Sequence, residues 1–306
     1  MVPAAERTTM TDTRVHCPLV TPMTADGSID VDALDTVTRG VLDAGLDGLV
    51  PCGTTGEFAS LTRAENRTVL ERVRAVAGDD TTLIAGAGAT SVPDTVDALT
   101  AAAEVGADAG LVVVPYFHTA NAADGNARFL RRVADRSPLP LYLYNIPACT
   151  GSEIPVETVA ELADRDDVLG LKDSSGDFGY FTDVLATTPD DFAVYQGVDG
   201  QLVPAGLMEA TGGINALSNA VPEVFAAVRD ALNKGDDARA RELHTDALTP
   251  LFAFCADHGF APATKAALAA RGRIDDAAVR PPLVELDEGA RAAVAAAVDD
   301  ALALVD

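Results

Sequence analysis

A lysine at the end of an apolar run is the sharpest chemical feature of this sequence. Lys172 stands in 167-DVLGLKD-173, where an ammonium ion is costly to bury. Such a setting favours the neutral amine, which can attack a carbonyl carbon. A strand-end lysine can also reach solvent or pair with its neighbour Asp173, and taken alone that reading carries equal weight. The composition tips the balance. Only Lys172, Lys234 and Lys265 are lysines, against nineteen arginines. Lys234 precedes Gly235 and reads as a partner for the negative end of a helix. Lys265 lies in an Ala-rich helix, and neither lysine has a setting like that of Lys172.

Three further segments place polar groups after apolar runs. In 53-GTTGE-57, Gly53, Thr54 and Thr55 offer closely spaced backbone N–H groups and two hydroxyls just before a helix. Such a turn can hold a small carboxylate, although Gly-Thr turns also simply cap helices. Tyr144 in 144-YNIP-147 is a candidate proton shuttle beside the lysine, or a ring packed at a rim. Asp199 and the backbone of Gly197 in 197-GVDG-200, with Ser174 and Ser175 after the lysine, are candidates to bind substrate hydroxyls or to cap helices.

For these residues to meet, the elements that carry them must converge. Eight short apolar runs recur at 15–20, 47–52, 81–87, 109–115, 139–145, 167–173, 192–197 and 212–218, each followed by a helical pattern. Near-continuous apolar strands alternating with helices imply a parallel sheet covered on both faces. Eight such units predict an α/β fold, a closed (β/α)8 TIM barrel, over an open doubly wound sheet. In that barrel the polar segments all fall at strand ends, on one mouth. The expected organisation is a polar N-terminal tail over 1–14, the barrel over 15–233 and a C-terminal helical extension over 234–306, with helices at 236–256, 262–271 and 287–305.

Composition excludes several functions. With 22 basic and 47 acidic residues the formal charge is −25, which repels nucleic acid. The acidic, lysine-poor surface reads as that of a protein from a high-salt interior. No apolar run approaches a membrane span and the N-terminal stretch has no secretory h-region. Cys17, Cys52, Cys149 and Cys255 form no CxxC pair and read as reduced thiols of a cytoplasmic enzyme. His16, His118, His244 and His258 are scattered, so no metal site is expected. The glycines of 86-GAGATS-91 lack a dinucleotide fingerprint and read as a tight strand-to-helix turn.

GTTGE, LYNIP with Tyr144 and GLKD with Lys172, in this order and at these strand ends, resemble the dihydrodipicolinate synthase / N-acetylneuraminate lyase superfamily. The likeness extends to LVTPMTADGSIDVDAL, VVPYF, GGINALSN and PATKAAL. It implies class I aldolase chemistry without a metal or other cofactor. Lys172 would form an imine with the keto carbon of pyruvate or another 2-keto acid, Thr54 and Thr55 would hold its carboxylate, and Tyr144 would move a proton during carbon–carbon cleavage. It also implies a homotetramer.

Two departures direct the expected substrate. The synthases of this superfamily carry an arginine two residues after the proline of the tyrosine motif, where this chain has Cys149. They also borrow a tyrosine from a neighbouring subunit, where this chain has Phe117. The missing arginine argues against condensation with aspartate semialdehyde, and the phenylalanine departs from the family's proton relay. The loop YLYNIPACTG instead resembles that of the archaeal 2-keto-3-deoxygluconate aldolases, which also lacks the arginine, and the acidic composition fits that reading. That enzyme would release pyruvate and glyceraldehyde, or glyceraldehyde 3-phosphate from the 6-phosphate, with Arg128 or Arg131 able to serve a phosphate. A dehydratase on a keto-deoxy sugar acid is the runner-up, a dihydrodipicolinate synthase is a further alternative disfavoured by Cys149, and a non-catalytic sensor is disfavoured by the presence of both Lys172 and Tyr144.

Overall fold

Each of the eight apolar runs forms a strand. A computed structural model describes residues 12–118 and 123–305, so residues 1–11 of the expected tail lie outside the described residues. The strands are β1 (Arg14–Cys17), β2 (Gly48–Leu49), β3 (Thr82–Gly86), β4 (Ala109–Val113), β5 (Leu141–Asn145), β6 (Val168–Asp173), β7 (Ala193–Gln196) and β8 (Gly212–Ile214). Every strand pairs in parallel with the next, and β8 returns to β1, with Val15 opposite Gly213. The sheet is therefore a closed TIM barrel, without the edges that an open sheet would leave to cover.

The two-residue period of a strand sorts its side chains. Along β4, Ala109, Leu111 and Val113 point into the barrel with Tyr144 and Tyr195, whereas Val112 packs outward against the helices. Along β5, Leu141 and Leu143 face outward while Tyr142 and Tyr144 face inward. The inward face of the amino-terminal end is plugged by aromatic groups. His16 Nε2 lies 3.1 Å from the Tyr195 hydroxyl, and Tyr142 meets Tyr195 edge-on at 5.9 Å. Burial pushes His16 down to about 4, so this plug is neutral.

The helices between strands begin and end on local signals. They are α1 (Val31–Asp43), α2 (Arg63–Ala77), α3 (Val92–Val105), α4 (Ala123–Ala134), α5 (Pro147–Thr150), α6 (Val156–Ala163), α7 (Phe178–Thr187), α8 (Leu202–Leu207) and α9 (Pro222–Asn233). Asp30 caps α1 by accepting the Ala33 N–H at 2.9 Å. Thr62 and Glu65 form a reciprocal capping box on α2. Ser91 caps α3, so the 86-GAGATS-91 segment is the strand-to-helix turn expected.

After α9 come α10 (Asp237–Leu243), α11 (Thr249–His258), α12 (Phe260–Ala270) and α13 (Glu288–Leu302). The single helix expected over 236–256 is interrupted at His244–Leu248 by a wider π turn. Pro250, in the first turn of α11, has no N–H to donate back into that turn, which accounts for the break. No helix among the described residues is long and apolar enough to cross a membrane.

Candidate active site

The carboxyl ends of the strands open into a cavity of about 410 Å³. Thr54, Thr55, Tyr144, Lys172, Ser174, Gly197 and Asp199 all line it, so residues as far apart in sequence as Thr54 and Asp199 converge as the barrel geometry requires. Parallel register sets Lys172 between Tyr144 of β5 and Tyr195 of β7. The lysine is only 4% exposed, and its Nζ lies over the Tyr144 ring, 4.4 Å from the centroid. Its chain neighbour Asp173 does not pair with it. Asp173 accepts from Asn145 Nδ2 at 2.8 Å and from Ser175 Oγ at 2.9 Å. Burial raises the Asp173 carboxyl, and these hydrogen bonds oppose the rise.

Gly197 earns its place by lacking a side chain. A Cβ there would stand 2.9 Å from Lys172 Cε and 2.8 Å from the Asp173 carbonyl, and would overlap Ser174 Oγ. The bare backbone leaves the lysine room to extend. Asp199 follows in the short turn Asp199–Gln201. One of its carboxylate oxygens accepts the Leu217 N–H at 2.8 Å, while the other has no hydrogen-bond partner among the described residues. Burial pushes this carboxyl up to about 6, with the Leu217 N–H and the charge of Lys172 pulling the other way.

Other candidates from the sequence take different places. Gly53 is buried but does not line the cavity. Its carbonyl accepts the Gly56 N–H at 3.1 Å, so it closes the turn and Thr54 and Thr55 present it. Ser175 reaches the cavity wall, but its hydroxyl serves Asp173 and receives the Asp177 N–H at 3.1 Å, which makes it a turn residue. Arg131 is bound to Glu161 at 2.5 Å, and Arg128, like Arg131, is absent from the cavity wall. Phe117 is 78% exposed and also stands outside the cavity. Cys149 does line it. Burial raises that thiol, against the opposing charge of Lys172.

The sequence reading missed two things. The C-terminal helices close the mouth: Phe252 of α11, Phe260 to Pro262 of α12 and Leu283 all line the cavity. No motif marks these residues, since an apolar wall needs only bulk and position. The second omission is Lys265, which is fully buried and ion-paired with Glu57 of the GTTGE turn. Its rarity in so lysine-poor a chain was a usable signal. The scattered histidines stay apart, and among the described residues no cluster of His, Cys, Asp or Glu could hold a metal ion.

Known proteins agree with this geometry. The model of the dihydrodipicolinate synthetase family matches residues 11–301. The 4-hydroxy-tetrahydrodipicolinate synthase of Neisseria gonorrhoeae is 37% identical over 282 residues, covering 92% of this chain and 95% of that protein. That of a Synechococcus species is 40% identical over 278 residues, 90% of each chain. The crystal structure of dihydrodipicolinate synthase from Acinetobacter baumannii complexed with pyruvate superimposes with a TM-score of 0.90. It is 30% identical and covers 95% of this chain and 99% of that one.

These relatives overturn the expectation of a 2-keto-3-deoxygluconate aldolase. That expectation rested on the loop that carries Cys149, on Phe117 and on the acidic composition, whereas similarity to named synthases runs through most of the chain. A missing arginine removes one hold on an aldehyde's carboxylate without identifying the aldehyde that replaces it. Nor do the relatives support the high-salt reading of the composition. The chain belongs to the dihydrodipicolinate synthetase family, whose enzymes hold pyruvate as an imine on a lysine and need no metal cofactor.

Proposed function

We propose that this chain is a pyruvate-dependent lyase of the synthase type, joining pyruvate to aspartate semialdehyde through an imine on Lys172. The observation that carries the reading is the buried Lys172 amine, set against the Tyr144 ring within the cavity. The relatives are named for the synthase reaction, and aspartate semialdehyde is the second substrate that the family resemblance implies for it.

The steps follow from the groups present. The Lys172 amine attacks the keto carbon of pyruvate and water leaves, giving an iminium. That cation withdraws electrons from the methyl carbon, which loses a proton and becomes the nucleophilic end of an enamine. The enamine attacks the aldehyde carbon, a new carbon–carbon bond forms, and the developing alkoxide takes up a proton. Tyr144, beside the lysine, is assigned the proton transfers. Thr54 and Thr55 are assigned the pyruvate carboxylate. Thr55 is thereby assigned to catalysis as well as to binding, because it holds the reacting molecule against the amine. Neither threonine hydroxyl is engaged by another group among the described residues, so both are available to an anion. Ser174, Asp199 and the Gly197 backbone are assigned to the aldehyde. With Cys149 in place of the synthases' arginine, the aldehyde's carboxylate must rely on neutral donors here. We take the working unit to be a homotetramer and its place of action to be the cytoplasm, where pyruvate is at hand.

The test is borohydride reduction in the presence of pyruvate, followed by peptide mass mapping, and a condensation assay with pyruvate and aspartate semialdehyde. An adduct on Lys172 together with product formation supports the proposal. An adduct without condensation would remove aspartate semialdehyde as the partner, and the absence of any adduct would remove the mechanism.

A further inference from the structure

The fifth residue of the GTTGE turn is held in an unusual way. Glu57 has a backbone φ of 57°, in the left-handed region that side chains other than glycine's seldom adopt. Its N–H donates to the Thr54 carbonyl at 3.1 Å, so the position of Glu57 sets the shape of the turn that carries Thr54 and Thr55. The turn is confined on its other side as well. Thr21 Oγ1 donates to the Gly56 carbonyl at 2.8 Å, and a Cβ on Gly56 would stand 2.8 Å from the Leu19 carbonyl.

The Glu57 side chain is turned inward and buried. One carboxylate oxygen is ion-paired with Lys265 Nζ, and the other accepts the Arg280 backbone N–H at 3.0 Å. Lys265 Nζ also donates to the Ala278 carbonyl at 2.8 Å. Both anchors therefore belong to the C-terminal region, and Lys265 lies on α12, whose first turn itself lines the cavity. A buried ion pair is a poor means of gaining stability, because desolvation offsets much of its attraction and apolar replacements often do as well. Here it joins the anion-binding turn to the helix that closes the mouth, and it holds a residue in a conformation that costs energy.

We propose that the Lys265–Glu57 pair is a positioning device for the substrate carboxylate: it holds the Thr54–Thr55 turn at the height the Lys172 imine requires. The pair touches no substrate and acts through the turn. This inference rests on the reading that Lys172 binds pyruvate as an imine.

The test uses the full chain and the pyruvate concentration that gives half-maximal borohydride trapping on Lys172. Glu57→Gln and Lys265→Met each strand one buried charge and can fail to fold. The double variant Glu57→Gln/Lys265→Met removes both charges and is the decisive one. It should melt near the parent while needing roughly tenfold more pyruvate for half-trapping, because a small misplacement of a binding group is costly. Trapping at saturating pyruvate should recover, since Lys172 is untouched. A folded double variant with the parent's half-saturation would overturn the proposal, as would one in which only the fraction of trappable enzyme falls. If the parent itself forms no adduct, the imine reading fails and takes this inference with it. If the parent forms it and the double variant matches, the imine reading stands and only the positioning role is lost.

Discussion

Lys172 and Lys265 are buried to a similar degree, 4% and 0% exposed, yet their surroundings differ in every other respect. Lys265 is sealed between Glu57 and the Ala278 carbonyl and does not line the cavity that Lys172 faces. Lys172 faces a cavity of about 410 Å³ with an aromatic ring beneath it and, among the described residues, no carboxylate in an ion pair with it. Burial of an amine therefore does not by itself mark a nucleophile. A carboxylate partner holds the amine in place and occupies its donors, whereas an amine open to a cavity can be reached by a carbonyl carbon. Asp199 lines the same cavity, yet among the described residues it forms no such pair with Lys172: one of its oxygens accepts the Leu217 N–H and the other has no hydrogen-bond partner.

The sharpest way to break this comparison is to remove the amine. Lys172→Ala should abolish the pyruvate adduct and lower turnover by at least about 10³-fold, since the covalent route has no substitute nucleophile. Mass mapping that still finds an adduct, on Lys265 or Lys234, would mean that the open setting of Lys172 was misread. Tyr144→Phe should leave the adduct intact and slow condensation by roughly 10²-fold or more, the usual worth of a positioned proton donor. Single-turnover kinetics would separate the two steps, and an equal loss in both would assign Tyr144 to shaping the pocket.

Much of this site was legible before the structure. Eight apolar runs with helices between them dictate the barrel, and the barrel rule brings the ends of β2, β5, β6 and β7 to one mouth. That was sufficient to bring Lys172, Tyr144, Thr54 and Thr55 to one cavity, whereas the roles proposed for them come from the family resemblance. The contribution of α11 and α12 was not legible, because Phe252, Phe260 and Pro262 are ordinary helix residues until they fold over the mouth. Lys265 was misjudged for a related reason. A helical stretch of alanines carries no sign of which side is buried, and its partner lies 208 positions away in the GTTGE turn. The substrate was misjudged on the loop that carries Cys149, on Phe117 and on the acidic composition, and the two residues speak to one contact each.

Crowding the open amine is a milder perturbation. Gly197→Ala would set a methyl group 2.9 Å from Lys172 Cε, and the lysine, being the flexible partner, must yield. We expect a drop of roughly tenfold to 10²-fold in the rate of imine formation, the scale of a displaced reacting group. Stability should fall by about 1–3 kcal/mol as an overpacked site. A calorimetric loss of stability with an unchanged trapping rate would show that the strain is taken up by Ser174 and the Asp173 backbone, leaving the amine where it was.

The smallest effect concerns the carboxylate that Lys172 does not claim. Asp199 is fully buried and burial holds its carboxyl near 6, above the ordinary value of about 3.9 that it regains on unfolding. An acid raised in the folded state binds its proton more tightly there, so the fold loses stability as pH climbs between those two values. Above about pH 6 the penalty is complete and constant; below about pH 4 it disappears. Asp199→Asn keeps an oxygen to accept the Leu217 N–H and removes the charge. It should therefore stabilise the protein at pH 8 by on the order of 1–3 kcal/mol. In a chain of this size that is a rise of a few degrees in melting temperature. The gain should shrink by about half near pH 5 and fade toward pH 4. Thermal melts of both proteins across this range provide the check. A gain independent of pH would mean that Asp199 is not the titrating group, and a loss at pH 8 would mean that Lys172 stabilises its charge after all, making the two lysines more alike than their settings suggest.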